Sequence, residues 1–80
     1  MNRDQALALL QEVLTGIVPD ADFGRIGPDT DLRDALELDS IDFLTLVERL
    51  SERAGCRIDE DDYPRLTTLA AGADLLAERA

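Results

Sequence analysis

Ser40 is the residue of this chain that most invites chemistry. It stands in Leu36-Glu37-Leu38-Asp39-Ser40-Ile41-Asp42-Phe43-Leu44, where a polar connection gives way to an apolar-patterned helix. A serine hydroxyl becomes a nucleophile when a neighbouring base takes its proton. The sequence has no histidine and a single cysteine, Cys56, so it offers no Ser-His or Cys-His pair, no zinc-ligand cluster and no intramolecular disulfide. Two explanations for Ser40 stay open on the residues alone. In the first it is an N-cap, its oxygen accepting a backbone N–H bond and stabilising the helix by about 1 kcal/mol. In the second it is modified by another protein and then carries what was attached. A helix N-terminus favours a phosphodiester through its free N–H groups and dipole. Asp39 and Asp42 would repel a free anion, so the combination suits a covalently fixed phosphate beside acids that a basic partner reads.

The elements that must hold Ser40 in place are helices. Leu7, Leu10, Val13, Leu14 and Ile17 recur at intervals of three and four and predict an amphipathic helix over 4–17, with Gly16 and Pro19 marking its end. Residues 18–39 read as a long loop with Phe23, Ile26, Leu32, Leu36 and Leu38 as apolar anchors. Connections longer than about 12–15 residues are uncommon in compact domains and often functional. Ser40 then opens a second helix patterned by Phe43, Leu46, Val47, Leu50 and Ala54 and stopped by Gly55. Asp59–Asp62 predict a single acidic turn that Pro64 ends or abolishes, and Thr67 or Thr68 caps a last helix through Leu69, Ala73, Leu76 and Ala77. The expected fold is all-α: a small four-helix bundle of three longer helices and one short turn-like helix, with a long first loop and one domain over residues 1–80.

Composition narrows the partners. Eighteen acidic against eight basic residues give a net charge of −10. Such a surface repels nucleic-acid phosphates and anionic lipid headgroups, so neither nucleic acid nor membrane is an expected partner, whereas a basic patch on another protein is. The start of the chain lacks the pattern of a secretory signal and no apolar run reaches membrane-spanning length, so a cytoplasmic setting is expected.

At Asp39, Ser40 and Ile41 the sequence resembles the acyl carrier protein family, whose signature is an Asp-Ser pair followed by an aliphatic residue. The likeness extends to the long preceding loop, the helix after it, the Ile58-Asp59 step with its acidic turn, and Leu66-Thr67-Thr68-Leu69 opening the last helix. The resemblance implies that Ser40 receives 4′-phosphopantetheine from coenzyme A through a separate magnesium-dependent phosphopantetheinyl transferase, with Asp39 helping that enzyme recognise the serine. The arm's thiol would carry an acyl group as a thioester, and the chain would be a monomer with no catalysis of its own. The helix from Ser40 to Ala54 would face the acyl-loading and acyl-using enzymes, with Asp42, Phe43, Glu48 and Arg49 as the residues that meet their basic docking patches. Two departures bear on the pathway. Glu37 stands where many family members have glycine, and Thr45 where carriers of fatty acid synthesis typically show an acid. Thr45 leans towards a specialised pathway, such as polyketide synthesis or lipid tailoring, and Asp39 argues against peptide-synthetase carriers, which usually have His there.

Other features have plainer readings. Asp29, Asp31 and Asp34 faintly resemble a calcium loop, but Arg33 occupies a ligand position and Asp34 the place of the required glycine. The run Asp59–Asp62 reads as a solvated cap, and Cys56 as partly buried filler. Leu44, Leu46, Val47, Leu50 and Ala73 are core residues or the lining of a space for an acyl chain. Arg49 and Arg53 read as exposed partners in i,i+4 pairs. The alternative to a carrier is an acidic helical interaction module without a prosthetic group, in which Ser40 is only an N-cap.

Overall fold

The computed structural model describes residues 1–80, and all of its regular elements are helices. Helix α1 spans Arg3–Ile17, α2 spans Leu32–Ala35, α3 spans Ser40–Ala54, a 3₁₀ helix spans Glu60–Leu66, and α4 spans Leu69–Arg79. The three long helices fall where the apolar periodicity puts them. Asn2 caps α1 reciprocally with Gln5, Gly55 ends α3 in the left-handed conformation at φ 68°, and the Thr68 hydroxyl caps α4 by accepting from the Ala71 N–H.

One core joins them. Helix α1 packs on both α4 and α3, and the 3₁₀ helix packs on α4. Leu10, Leu14, Leu46, Leu50, Leu66, Leu75 and Leu76 are fully buried at the centre. Gly72 permits the close approach of α4 to α1, since a Cβ there would lie 2.8 Å from Leu10 Cδ2. Burial of a leucine side chain stabilises by roughly 1.5–3 kcal/mol, so this leucine layer is the main source of the bundle's stability.

Two expectations require correction. The long connection is not without structure, because Asp31 accepts the N–H groups of Arg33 and Asp34 and so starts α2. The fully buried Leu32 anchors that turn, and its N–H donates to the Thr67 carbonyl at 2.8 Å. Pro64 does not end the acidic turn either. The 3₁₀ helix runs through it to Leu66, because the Asp62–Arg79 clamp and the fully buried Leu66 hold the segment although Pro64 forfeits an N–H inside it.

The acidic run is also more than a solvated cap. Asp62 is buried, and Arg79 from the end of α4 grips it with both terminal nitrogens at 2.7 and 2.8 Å. The Arg79 hydrogen bonds, aided by the Asp59 N–H, hold the Asp62 carboxyl at about 2 against an ordinary 3.8, with burial opposing the shift. The same contact raises Arg79. The clamp fixes the 3₁₀ helix to α4 and thereby fixes the wall it presents to α3.

Candidate functional site

The placement of Ser40 is built one residue at a time. Leu36 closes α2 and Glu37 turns the chain at φ 53°, the only non-glycine residue at positive φ. The Leu38 N–H then donates back to the Arg33 carbonyl at 2.9 Å, a closure that commonly follows a left-handed residue at a helix end. Leu38 itself is buried, so the chain is pinned to the core immediately before Asp39. This geometry explains why glycine is common in the family at the position of Glu37: an L-residue there costs roughly 1–2 kcal/mol.

Asp39, not Ser40, is the N-cap of α3. Its carboxylate accepts from the Asp42 N–H at 2.8 Å, and the Asp42 carboxylate accepts in return from the Asp39 N–H at 3.4 Å. Ser40 is therefore the first residue inside the helix. It is exposed, and its hydroxyl makes no hydrogen bond within the protein, nor do the Ser40 and Ile41 N–H groups donate to any protein acceptor. The cap reading of Ser40 is thus corrected, because a reciprocal pair of aspartates already satisfies the helix start.

Ser40 opens onto a groove of about 630 Å³ between α3 and the 3₁₀ helix, lined also by Arg33, Phe43, Leu44, Tyr63 and Thr67. The ring of Phe43 packs edge-on against Tyr63 with centroids 5.3 Å apart, and the Arg33 guanidinium lies over the Phe43 ring at 5.0 Å. A group bonded to Ser40 Oγ meets open space here and displaces no packed side chain, so the residues present fit a covalent arm.

The other site residues divide. Glu48 and Arg49 are exposed on α3 and Asp42 is half-buried. Phe43, expected on the presented face, is instead only 5% exposed and belongs to the core and the groove floor. Leu44, expected either in the core or lining a space for an acyl chain, is 48% exposed and so not a core residue, and Ile41 is 74% exposed. The physical reason is angular: Phe43, Leu46, Val47 and Leu50 already fill the inward stripe, which leaves positions 41 and 44 on the outer flank. Leu46, Leu50 and Ala73 are fully buried core residues, whereas Leu44 lines the groove. Glu37, Asp39, Asp42 and Glu48 form no ion pair, whereas Arg53 pairs across to Glu12 of α1 at 3.1 Å and Arg49 pairs with nothing. Arg33, Tyr63 and Thr67 carried no signal in the sequence as site residues, because three separate segments must fold together before they share a wall.

An exposed, uncommitted serine at the start of an acidic helix, held by a helical bundle beside an open groove, defines a carrier domain. The chain belongs to the acyl carrier protein family. Residues 4–76 match the family described as "Phosphopantetheine attachment site". An acyl carrier protein of Streptomyces coelicolor is 36% identical over 74 residues, covering 92% of this chain and 80% of the relative. One from Rubrobacter xylanophilus is 28% identical over 78 residues, covering 98% and 95%, and one from Renibacterium salmoninarum is 29% identical over 79 residues, covering 95% and 93%. The protein is thus a carrier and not an enzyme, and its cofactor is covalent 4′-phosphopantetheine. No helix is long and apolar enough to cross a membrane.

Proposed function

We propose that residues 1–80 form one carrier domain whose attachment point is Ser40, and that the domain presents an acyl group to successive enzymes. The arm, when bound, supplies the thiol that holds the cargo as a thioester. The observation that carries this reading is the division of labour at the α3 start: Asp39 and Asp42 complete the cap, leaving an exposed Ser40 hydroxyl with no structural duty. The alternative module without a prosthetic group relied on Ser40 as the cap, and that premise fails.

The surface around Ser40 supports the partner assignments. Asp39 is the recognition residue for the transferase, held rigid by its cap bond. Asp42 and Glu48 offer carboxylates without intramolecular ion pairs, which suits basic docking patches, with Arg49 as a cation at the end of the same face. Exposed Ile41 and Leu44 replace Phe43 as the apolar part of that face. The Thr45 hydroxyl donates to the Ile41 carbonyl at 3.0 Å and brings no charge, in keeping with enzymes of a specialised polyketide or lipid-tailoring pathway. The carrier acts in the cytoplasm. The protein works as a monomer.

The test is an intact-mass measurement after incubation with coenzyme A, magnesium and a broad-specificity phosphopantetheinyl transferase. The wild type gains one phosphopantetheine and Ser40→Ala gains none. No gain on the wild type, or an equal gain on Ser40→Ala, overturns the assignment.

A further inference from the structure

Charge pairing in this chain has an exception that points at the groove. Of eight arginines, six meet a carboxylate in an ion pair, and only Arg33 and Arg49 do not. In a protein of net charge −10, carboxylates are plentiful, and Arg33 even has Asp31 and Asp34 close by in sequence. It lies instead over the Phe43 ring on the wall of the groove that begins at Ser40. Tyr63 lines the same groove, and its hydroxyl likewise has no hydrogen-bond partner in the fold. The groove therefore combines a guanidinium outside any ion pair, a tyrosine whose hydroxyl has no partner, and the apolar side chains of Phe43, Leu44 and Pro64, with Glu60 as the one carboxylate in its lining and not paired with Arg33. Its volume of about 630 Å³ is that of a small-molecule site.

We infer that this groove seats the protein's own phosphopantetheine arm, with Arg33 as the positioning residue for the phosphodiester on Ser40. The occupant is argued from chemical complementarity. A guanidinium recognises phosphate oxygens through its planar fork of donors, the apolar floor suits the arm's branched aliphatic segment, and the Tyr63 hydroxyl suits its amides. A saturated acyl chain would leave both donors unmatched. The inference rests on Ser40 as the attachment point, and its test begins only after mass spectrometry has shown loading, so failure to load and failure to seat are separate results.

The measurement is NMR of the loaded, cargo-free protein. The phosphorus resonance of the folded wild type is expected to differ from that in urea, and Arg33→Gln moves it most of the way to the urea position. Arg33→Lys keeps the charge without the fork and gives an intermediate shift, and Tyr63→Phe leaves the phosphorus nearly unmoved. Comparison of apo and loaded wild type, which needs no variant, shows amide shifts at Tyr63 and Thr67 and an Arg33 side-chain shift that diminishes with added salt. A loaded protein whose phosphorus position is the same folded and unfolded, or is indifferent to Arg33→Gln, overturns the inference. So does the lack of any shift at Arg33, Tyr63 and Thr67 on loading.

Discussion

A reciprocal version of one four-residue pattern, an aspartate whose N–H is accepted by another aspartate three positions later, starts two helices of this molecule with opposite consequences. At Asp39–Asp42 and at Asp59–Asp62 the two carboxylates face the start of their helix, and the second accepts from the N–H of the first. Asp62 is then buried and clamped by Arg79. Asp42 stays half-exposed, with no cation beside it. One box is a structural joint between the 3₁₀ helix and α4. The other leaves its charge available to whatever approaches Ser40. The same local cap thus serves packing where a cation from another helix reaches it and leaves a free carboxylate where none does.

Substitutions can test that contrast, beginning with the largest effect. Arg79→Ala strands the buried Asp62 carboxylate without its counter-ion and should lower the melting temperature more than any other surface-charge change in the chain; Asp42→Asn should scarcely move it. Thermal melts of the two side by side would decide, and equal losses would erase the distinction. The acid response follows from the depressed Asp62 carboxyl. Its contribution is complete above its ordinary 3.8 and is lost as pH falls towards about 2. The stability gap between wild type and Arg79→Ala should accordingly close over that interval, as read by urea melts at successive pH values. Glu78, lowered by its hydrogen bond from Arg65, adds a smaller loss in the same direction.

Next in size is the cap itself. Asp39→Ala should cost about 1 kcal/mol in chemical denaturation, whereas Ser40→Ala should fall within about 0.5 kcal/mol of wild type while losing all modification. A Ser40→Ala variant as damaged as Asp39→Ala would restore the serine as a cap. Glu37→Gly should stabilise by roughly 0.5–1 kcal/mol, since it relieves the left-handed strain and gives back part of that gain as unfolded-state entropy. A destabilised Glu37→Gly would mean that the Glu37 side chain contributes something its exposed position does not reveal.

Much of this was legible in the chain of residues. Apolar spacing in 4–17, 40–54 and 69–77 specified three helices because a 3.6-residue period requires only local order. Gly55 and Thr68 marked two ends for equally local reasons. Asp39-Ser40-Ile41, set in an acidic chain with a long loop before it, was sufficient to indicate the family. The four-residue α2 was not legible. Its cap, Asp31, resembles any other loop acid, and its anchor is a hydrogen bond from Leu32 to Thr67 across 35 positions. Pro64 misled for a related reason, since its helix is held by Asp62 and Arg79 and not by propensity.

The sequence by itself determined the carrier class and the helical scaffold and singled out the serine for the proposal, because motif and periodicity are written in neighbouring residues. Only the tertiary structure decided which acids are neutralised, which of Ile41, Phe43 and Leu44 turns inward, and that Asp39 relieves Ser40 of capping. It alone brought Arg33, Phe43 and Tyr63 to one groove. Those outcomes depend on three-dimensional proximity between segments far apart in the chain, and on how completely an inward stripe is already filled.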